Sequence, residues 1–272
     1  MTRPIRVGAV NYLNTRPLIH EFESFAPEAE LSLEVPSRLA DLLADGRLDI
    51  GLIPVIEYFR AGSYSVVPNI SIASRGPVLS VTLFSKKPWG EIRRLALDEG
   101  SRTSAALVQV LLQKKYKNFV ECVPLPLDQR AEDAETDAVL LIGDRAMHAC
   151  LPGFEYAYDL GQEWYDWTGL PFVYAFWAVR EGVDLQGVDD ALRRSKEFGL
   201  GQVGLIAQRE SKRLGLDAGF CRRYLNNIIH YDLGPREQAG LEQFHSLACE
   251  LGLARRGVAL EYYRAGDLVE SR

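Results

Sequence analysis

Side chains able to hold a carboxylate gather at two strand-to-loop junctions of this chain. At the first, the apolar run Ile5 to Val10 opens into Asn11, Tyr12, Asn14, Thr15 and Arg16. At the second, Arg94 to Asp98 is followed by Glu99-Gly-Ser-Arg-Thr-Ser104 and then by the helical run Ala105 to Leu112. A helix start presents unpaired backbone N–H groups and the positive end of the helix dipole. The hydroxyls of Ser101, Thr103 and Ser104 add donors there, so an anion is a natural ligand. The same hydroxyls can instead cap the helix and bind nothing. The first loop sits where open α/β sheets hold ligands, outside the carboxyl ends of their strands. Its Asn and Thr residues before Pro17 would equally suit a turn and a helix cap. Ser80 is an isolated hydroxyl in the apolar run Pro77 to Phe84, either facing a cleft or satisfied within its strand. Ile142-Gly143-Asp144 closes another apolar strand with a glycine that permits close backbone approach and an acid that can touch a ligand or cap the next helix.

Several other chemistries find no support in the residues. There is no G-x-x-x-x-G-K-[ST] loop, and no G-x-G-x-x-G follows a strand, so a nucleotide cofactor is not expected. Gly199-Leu-Gly-Gln-Val-Gly204 has no apolar strand before it and reads as a break between helices. His20, His148, His230 and His245 stand far apart, and Cys122, Cys150, Cys221 and Cys249 form no C-x-x-C pair. We therefore expect no metal, and reduced, mostly packed thiols. The net charge of -6 and the short, scattered basic clusters argue against nucleic acid as the partner. No apolar run reaches the roughly 18–20 residues of a membrane span. With a strand starting at Ile5 and no leader ahead of it, the expected location is the cytoplasm.

The elements that must position these groups alternate, strand then helix, through most of the chain, which points to α/β layers with parallel pairing. Strands are expected at Ile5–Val10, Leu31–Val35, Ile50–Ile53, Val66–Ile70, Leu79–Ser85, Arg94–Asp98, Phe119–Val123, Ala138–Ile142 and Phe172–Val179. A short helix from Pro36 to Gly46 has Leu39, Leu42 and Leu43 on one face, Ser37 as its cap and Gly46 at its stop. The C-terminal third turns helical, with a last helix opened by Pro235. Two extended apolar runs, Pro77 to Phe84 and Pro171 to Trp177, suit strands that cross between lobes. That gives residues 1–85 with 172–272 as a discontinuous first lobe and 86–171 as an inserted second one, with a ligand cleft between. The aromatic run Trp164 to Trp177 can wall a ring-shaped ligand or simply pack the core and hinge.

Six pieces in order, V-N-Y-L-N-x-x-P-L, G-R-L-D-I-G-L-I-P, G-P-V-L-S-V, S-R-T-S, L-I-G-D and W-T-G-L-P-F-V-Y-A-F-W, make the chain resemble the menaquinone-biosynthesis family of the futalosine route nearly end to end. The resemblance implies a fold like that of the type II periplasmic solute-binding proteins. It also implies cytoplasmic loss of water from chorismate to give 3-[(1-carboxyvinyl)oxy]benzoate, without redox cofactor or ATP. Asn14 and Ser80 are then the catalytic candidates, with Asn11, Tyr12, Ser101, Arg102, Thr103, Ser104, Gly143 and Asp144 around the substrate. By charge alone, and not through the resemblance in the case of Arg16, Arg16 and Arg102 are candidate carboxylate partners. No histidine or lysine lies in the matched polar motifs, and the nearby acids are Asp144, Glu99 and Glu57, so the substrate's own enolpyruvyl carboxylate is one possible proton acceptor. Two alternatives stay open: the sister enzyme that makes 1,4-dihydroxy-6-naphthoate, and a non-catalytic protein binding a small carboxylate or sulfonate.

Overall fold

The computed structural model describes residues 3–265. They form two sheets. The first contains β1 (Arg6–Val10), β2 (Glu30–Glu34), β3 (Ile50–Pro54), β4 (Tyr64–Ser74), β10 (Phe172–Arg180) and β11 (Ile229–His230), in the order β11-β4-β10-β3-β1-β2. The second contains β5 (Val81–Ser85), β6 (Arg94–Asp98), β7 (Glu121–Leu125), β8 (Ala138–Ile142) and β9 (Tyr156–Asp159), in the order β7-β6-β8-β5-β9. The helices are α1 (Phe22–Phe25), α2 (Pro36–Ala44), α3 (Val55–Ala61), α4 (Arg102–Val110) and α5 (Gly143–His148). They continue with α6 (Leu160–Thr168), α7 (Val188–Gly201), α8 (Val203–Leu214), α9 (Ala218–Arg223) and α10 (Pro235–Glu250).

Strand character follows the apolar runs. β3 and β8 are buried at every position, as strands covered on both faces must be. β2, at the sheet edge, carries Glu30 and Glu34 and stays largely exposed, which blunts the edge against further pairing. Parallel pairing holds for β1 with β2 and β3 and for β6 with β7 and β8, but β10 runs antiparallel to both β3 and β4, and β5 antiparallel to β8 and β9. The sheets are mixed because the chain leaves the first sheet along β4 and returns along β10. Phe172 pairs with Ser74, so the exit and the return lie side by side. The boundary expected after Ser85 falls earlier, since β5 hydrogen-bonds within the second sheet and the crossing is made by the residues just before it.

Two local expectations are corrected. Ser37 lies inside α2, whose cap is Val35 with Pro36 as first helical residue, and its N–H donates to the Gly100 carbonyl at 3.3 Å. Cys122 and Cys150 are exposed rather than packed, while Cys221 is buried. Of the two readings of the aromatic run, core packing holds for most of it, with Trp164 and Trp177 fully buried, while Tyr174 and Ala175 reach the cavity described below. The break between helices around Gly201 is seen, and Gly199 has a packing role. A Cβ there would stand 2.1 Å from the Pro17 carbonyl oxygen, so only glycine lets α7 lie against the turn after β1. No described helix is long and apolar enough to cross a membrane.

Candidate active site

A cavity of about 520 Å³, counting its open mouth, lies where the carboxyl ends of β1, β3 and β8 meet the start of α4. Val10, Pro54 and Ile142 end their strands in its wall, and Ile72, Tyr174 and Ala175 of the paired crossing strands form its back. Polar groups enter from three sides: Tyr12 and Asn14 after β1, Ser80 before β5, and Ser101 to Ser104 at α4.

The first wall is set by the 3-10 turn Leu13–Ile19, into which the polar loop folds with Pro17 inside it. Asp144, the second residue of α5, accepts the Leu13 N–H at 3.2 Å and so fixes that turn from the opposite lobe. Burial pushes the Asp144 carboxyl up, against the pull of the Leu13 N–H and Arg213. Tyr12 lies on Gly143, whose φ of 59° and whose missing Cβ, which would stand 2.8 Å from the ring, both require glycine. Burial, then the charges of Asp98 and Asp144, raise the Tyr12 phenol and keep it protonated. Thr15 Oγ1 donates to Asn14 Oδ1 at 3.4 Å, and the Asn14 side chain also reaches the Tyr224 phenol.

The second wall is a strained turn. Leu79 has φ of 61°, uncommon for a side chain of its kind, and the Asp159 carboxylate holds it by accepting the N–H groups of Val78 at 3.0 Å and Leu79 at 2.7 Å. Ser80 is thereby turned toward the cavity. Its carbonyl accepts the Gly143 N–H at 2.8 Å, and its Oγ accepts the phenolic O–H of Tyr224 at 2.8 Å.

The third wall is the start of α4. Asp98 organises the turn before it, accepting the Gly100 N–H at 2.9 Å and pairing with Arg145 at 3.2 Å. Ser101 takes the N-cap position without a side-chain cap bond, and among the described residues neither its hydroxyl nor that of Ser104 has a protein partner. Thr103 is otherwise committed, its Oγ1 accepting the Ile56 N–H at the start of α3 at 3.3 Å. Arg102 is the one charged side chain in the cavity wall, and its guanidinium is neutralised by Asp41 at 2.7 Å and Glu57 at 3.3 Å. The site is thus built from neutral donors and a helix start.

Of the expected residues, Asn14, Ser80, Tyr12, Ser101, Arg102, Thr103, Ser104 and Gly143 share this wall. Asn11 and Asp144 stand outside it. Asn11 is exposed and accepts from Arg16 at 2.6 Å, while Arg16 also pairs with Glu210 at 3.3 Å. Asp144 acts on the loop backbone. Tyr174, Asp159 and Tyr224 were not among the expected residues. Tyr174 stood in the aromatic run, whereas nothing in the neighbourhood of Tyr224 marks it. Among the described residues no group of three His, Cys, Asp or Glu side chains is placed to hold a metal ion.

Two α/β lobes joined by a pair of adjacent crossings, with the cavity at strand ends between them, define a periplasmic-binding-protein-like fold. In structure the chain is similar to an Archaeoglobus fulgidus protein, with a TM-score of 0.74 and 19% identity over 93% of this chain and 99% of that one. It is similar also to the periplasmic aliphatic sulphonate binding protein of Escherichia coli, with a TM-score of 0.63 and 18% identity over 97% of this chain and 93% of that one. The chain belongs to the Menaquinone biosynthesis family, which it matches over residues 5–250. It is 33% identical over 267 residues to the chorismate dehydratase of Thermus thermophilus, covering 89% of this chain and 94% of the relative. With the chorismate dehydratase of Campylobacter jejuni it shares 27% identity over 254 residues, 91% of this chain and 99% of the relative.

Proposed function

We propose that this chain is a hydro-lyase that removes water from chorismate to give 3-[(1-carboxyvinyl)oxy]benzoate in menaquinone biosynthesis, acting in the cytoplasm. The observation that carries the reading beyond family membership is the neutral donor set, Asn14, Ser80 and the start of α4, converging on one cavity at the strand ends. The elimination breaks the C3–H and C4–O bonds, forms the C3–C4 double bond and leaves an aromatic ring, so it is driven by the product's own stability. The C3 hydrogen is activated through the ring double bond by the ring carboxylate, and its removal spreads negative charge toward that carboxylate. Donors fixed there stabilise the transition state more than the ground state.

In this reading the Ser101 and Ser104 hydroxyls and the α4 backbone hold one substrate carboxylate. Asn14 and Ser80 hold the other and position the departing hydroxyl. Neutral donors suit this task, because hydrogen bonds orient the dianion without an ion pair that would fix its charge in the ground state. Asp144 is occupied by the Leu13 N–H and stands outside the cavity wall. That supports proton transfer to the substrate's own enolpyruvyl carboxylate, held close by the protein.

The test is to add purified protein to chorismate, follow the loss of diene absorbance and identify the product by mass. Catalytic loss of one water is expected. Saturable binding without turnover would instead make the chain a binding protein, and no binding would remove chorismate as its ligand.

A further inference from the structure

Tyr224 contributes nothing to the cavity wall and is fully buried, yet it touches the side chain at the centre of the proposed chemistry. It is the first residue of a π-helical turn, Tyr224–Ile228, with which the helix begun by α9 ends before β11. π turns are rare and recur at functional sites. Here the first side chain of the turn is the phenol, whose O–H donates to Ser80 Oγ at 2.8 Å. The Asn14 side chain approaches the same phenol. Three separate elements thus meet at one buried hydroxyl.

We propose that Tyr224 is a positioning residue that, by donating to Ser80 Oγ, turns the Ser80 proton toward the cavity and strengthens its donation to the ligand. The proposal rests on the dehydration reading given above. A serine hydroxyl has one proton and can rotate. With its Oγ accepting from Tyr224, the proton must point elsewhere. The protein acceptor on offer is the Val78 carbonyl at 3.4 Å, at the limit of a useful bond. A ligand oxygen in the cavity is the better partner, and an O–H that accepts one hydrogen bond donates the next more strongly. Burial raises the phenol above its usual range and so keeps its proton in place at neutral pH.

The experiment compares wild type, Tyr224→Phe, Ser80→Ala and the double variant on chorismate, with kcat and KM measured separately and melting curves to fix the folded fraction. Tyr224→Phe keeps the ring and removes one oxygen. Its kcat should fall about tenfold or more per folded molecule, the rate equivalent of roughly one hydrogen bond, with KM much less changed. In the Ser80→Ala background the same change should have no further effect, because the group through which it acts is gone. Undiminished kcat in Tyr224→Phe, or losses that simply multiply in the double variant, would overturn the proposal, as would a loss that tracks the melting curve. 3-Fluorotyrosine placed at 224 keeps the shape with a more acidic phenol, so kcat should hold or rise; a fall would count against the proposal even if the phenylalanine variant did not fold. An active wild type confines any such failure to Tyr224, whereas an inactive wild type would sink the dehydration reading and this inference together.

Discussion

Ser80 and Asn14 carry no charge, so each can act on the substrate only by giving or accepting a hydrogen bond from a fixed position. Removing such a group from a preorganised site costs about 10²-fold or more in turnover. We expect Asn14→Ala and Ser80→Ala each to lose activity on that scale. Asp144→Asn should keep most turnover, since an amide oxygen still accepts the Leu13 N–H and the burial that raises the carboxyl's pKa no longer opposes a charge. Steady-state rates on chorismate decide it: near-normal turnover in both alanine variants would remove them from the site, and an inactive Asp144→Asn would make that acid the base. At this scale residue type and junction position could be read from the sequence, as Tyr12, Asn14, Ser80 and the Ser101–Ser104 group illustrate. The direction of a side chain could not. Arg102 turns to Asp41 and Glu57, Thr103 caps α3, and Tyr224 reaches Ser80 across 144 residues. Each outcome depends on a partner distant in the chain that no local pattern reveals.

Among the elements, the crossing before β5 is held in an unfavourable conformation and α6 supplies the restraint. Asp159 caps α6 by accepting the Gln162 N–H at 3.0 Å while also accepting the Val78 and Leu79 N–H groups, so one carboxylate joins a helix start to the left-handed turn that presents Ser80. Asp159→Ala removes the cap and leaves buried N–H groups without partners, a loss of about 2–4 kcal/mol. Leu79 would then relax from its φ of 61°. Urea denaturation should show the loss of stability, and kcat should fall further than the folded fraction explains; stability lost with kcat per folded molecule intact would mean that the turn does not set Ser80. Periodicity located most strands but neither this link nor α9. Buried runs such as Ala138–Ile142 announce themselves, whereas α9 is short, exposed and carries Arg222 and Arg223, so it shows little apolar face. The antiparallel placement of β10 is equally invisible locally, because it follows from where the chain returns.

For the whole molecule, alternation of strands and helices and the two crossing runs were enough to indicate two lobes with a cleft. The charge network that ties the first of them together was not. Asp49, fully buried, accepts from Arg3 before β1, from Arg6 within it and from Arg180 at the end of β10, and so clamps the N-terminal strand to the strand that returns from the second sheet. Burial alone would raise this carboxyl, but the hydrogen bonds from Arg3, Arg6 and Arg180 outweigh it and hold it far below the usual range. A carboxyl depressed in the folded state adds stability that is complete above its unfolded pKa of about 3.9 and is lost as pH falls below that value toward the folded one. Asp137 and Glu210 are shifted the same way, whereas Asp98, Asp144 and Asp159 are raised and oppose the trend. Comparing wild type with Asp49→Asn cancels those other groups. At neutral pH the variant should be less stable by about 3 kcal/mol, the lower end for breaking a buried pair because the arginines stay partly in water. Below about pH 4 the gap should narrow by up to roughly 1.4 kcal/mol per pH unit as the wild-type carboxyl takes up the proton that asparagine lacks. Urea midpoints measured from pH 7 down to acid decide the matter, since a gap that stays constant with pH would mean that the Asp49 charge is not what holds the two strands together.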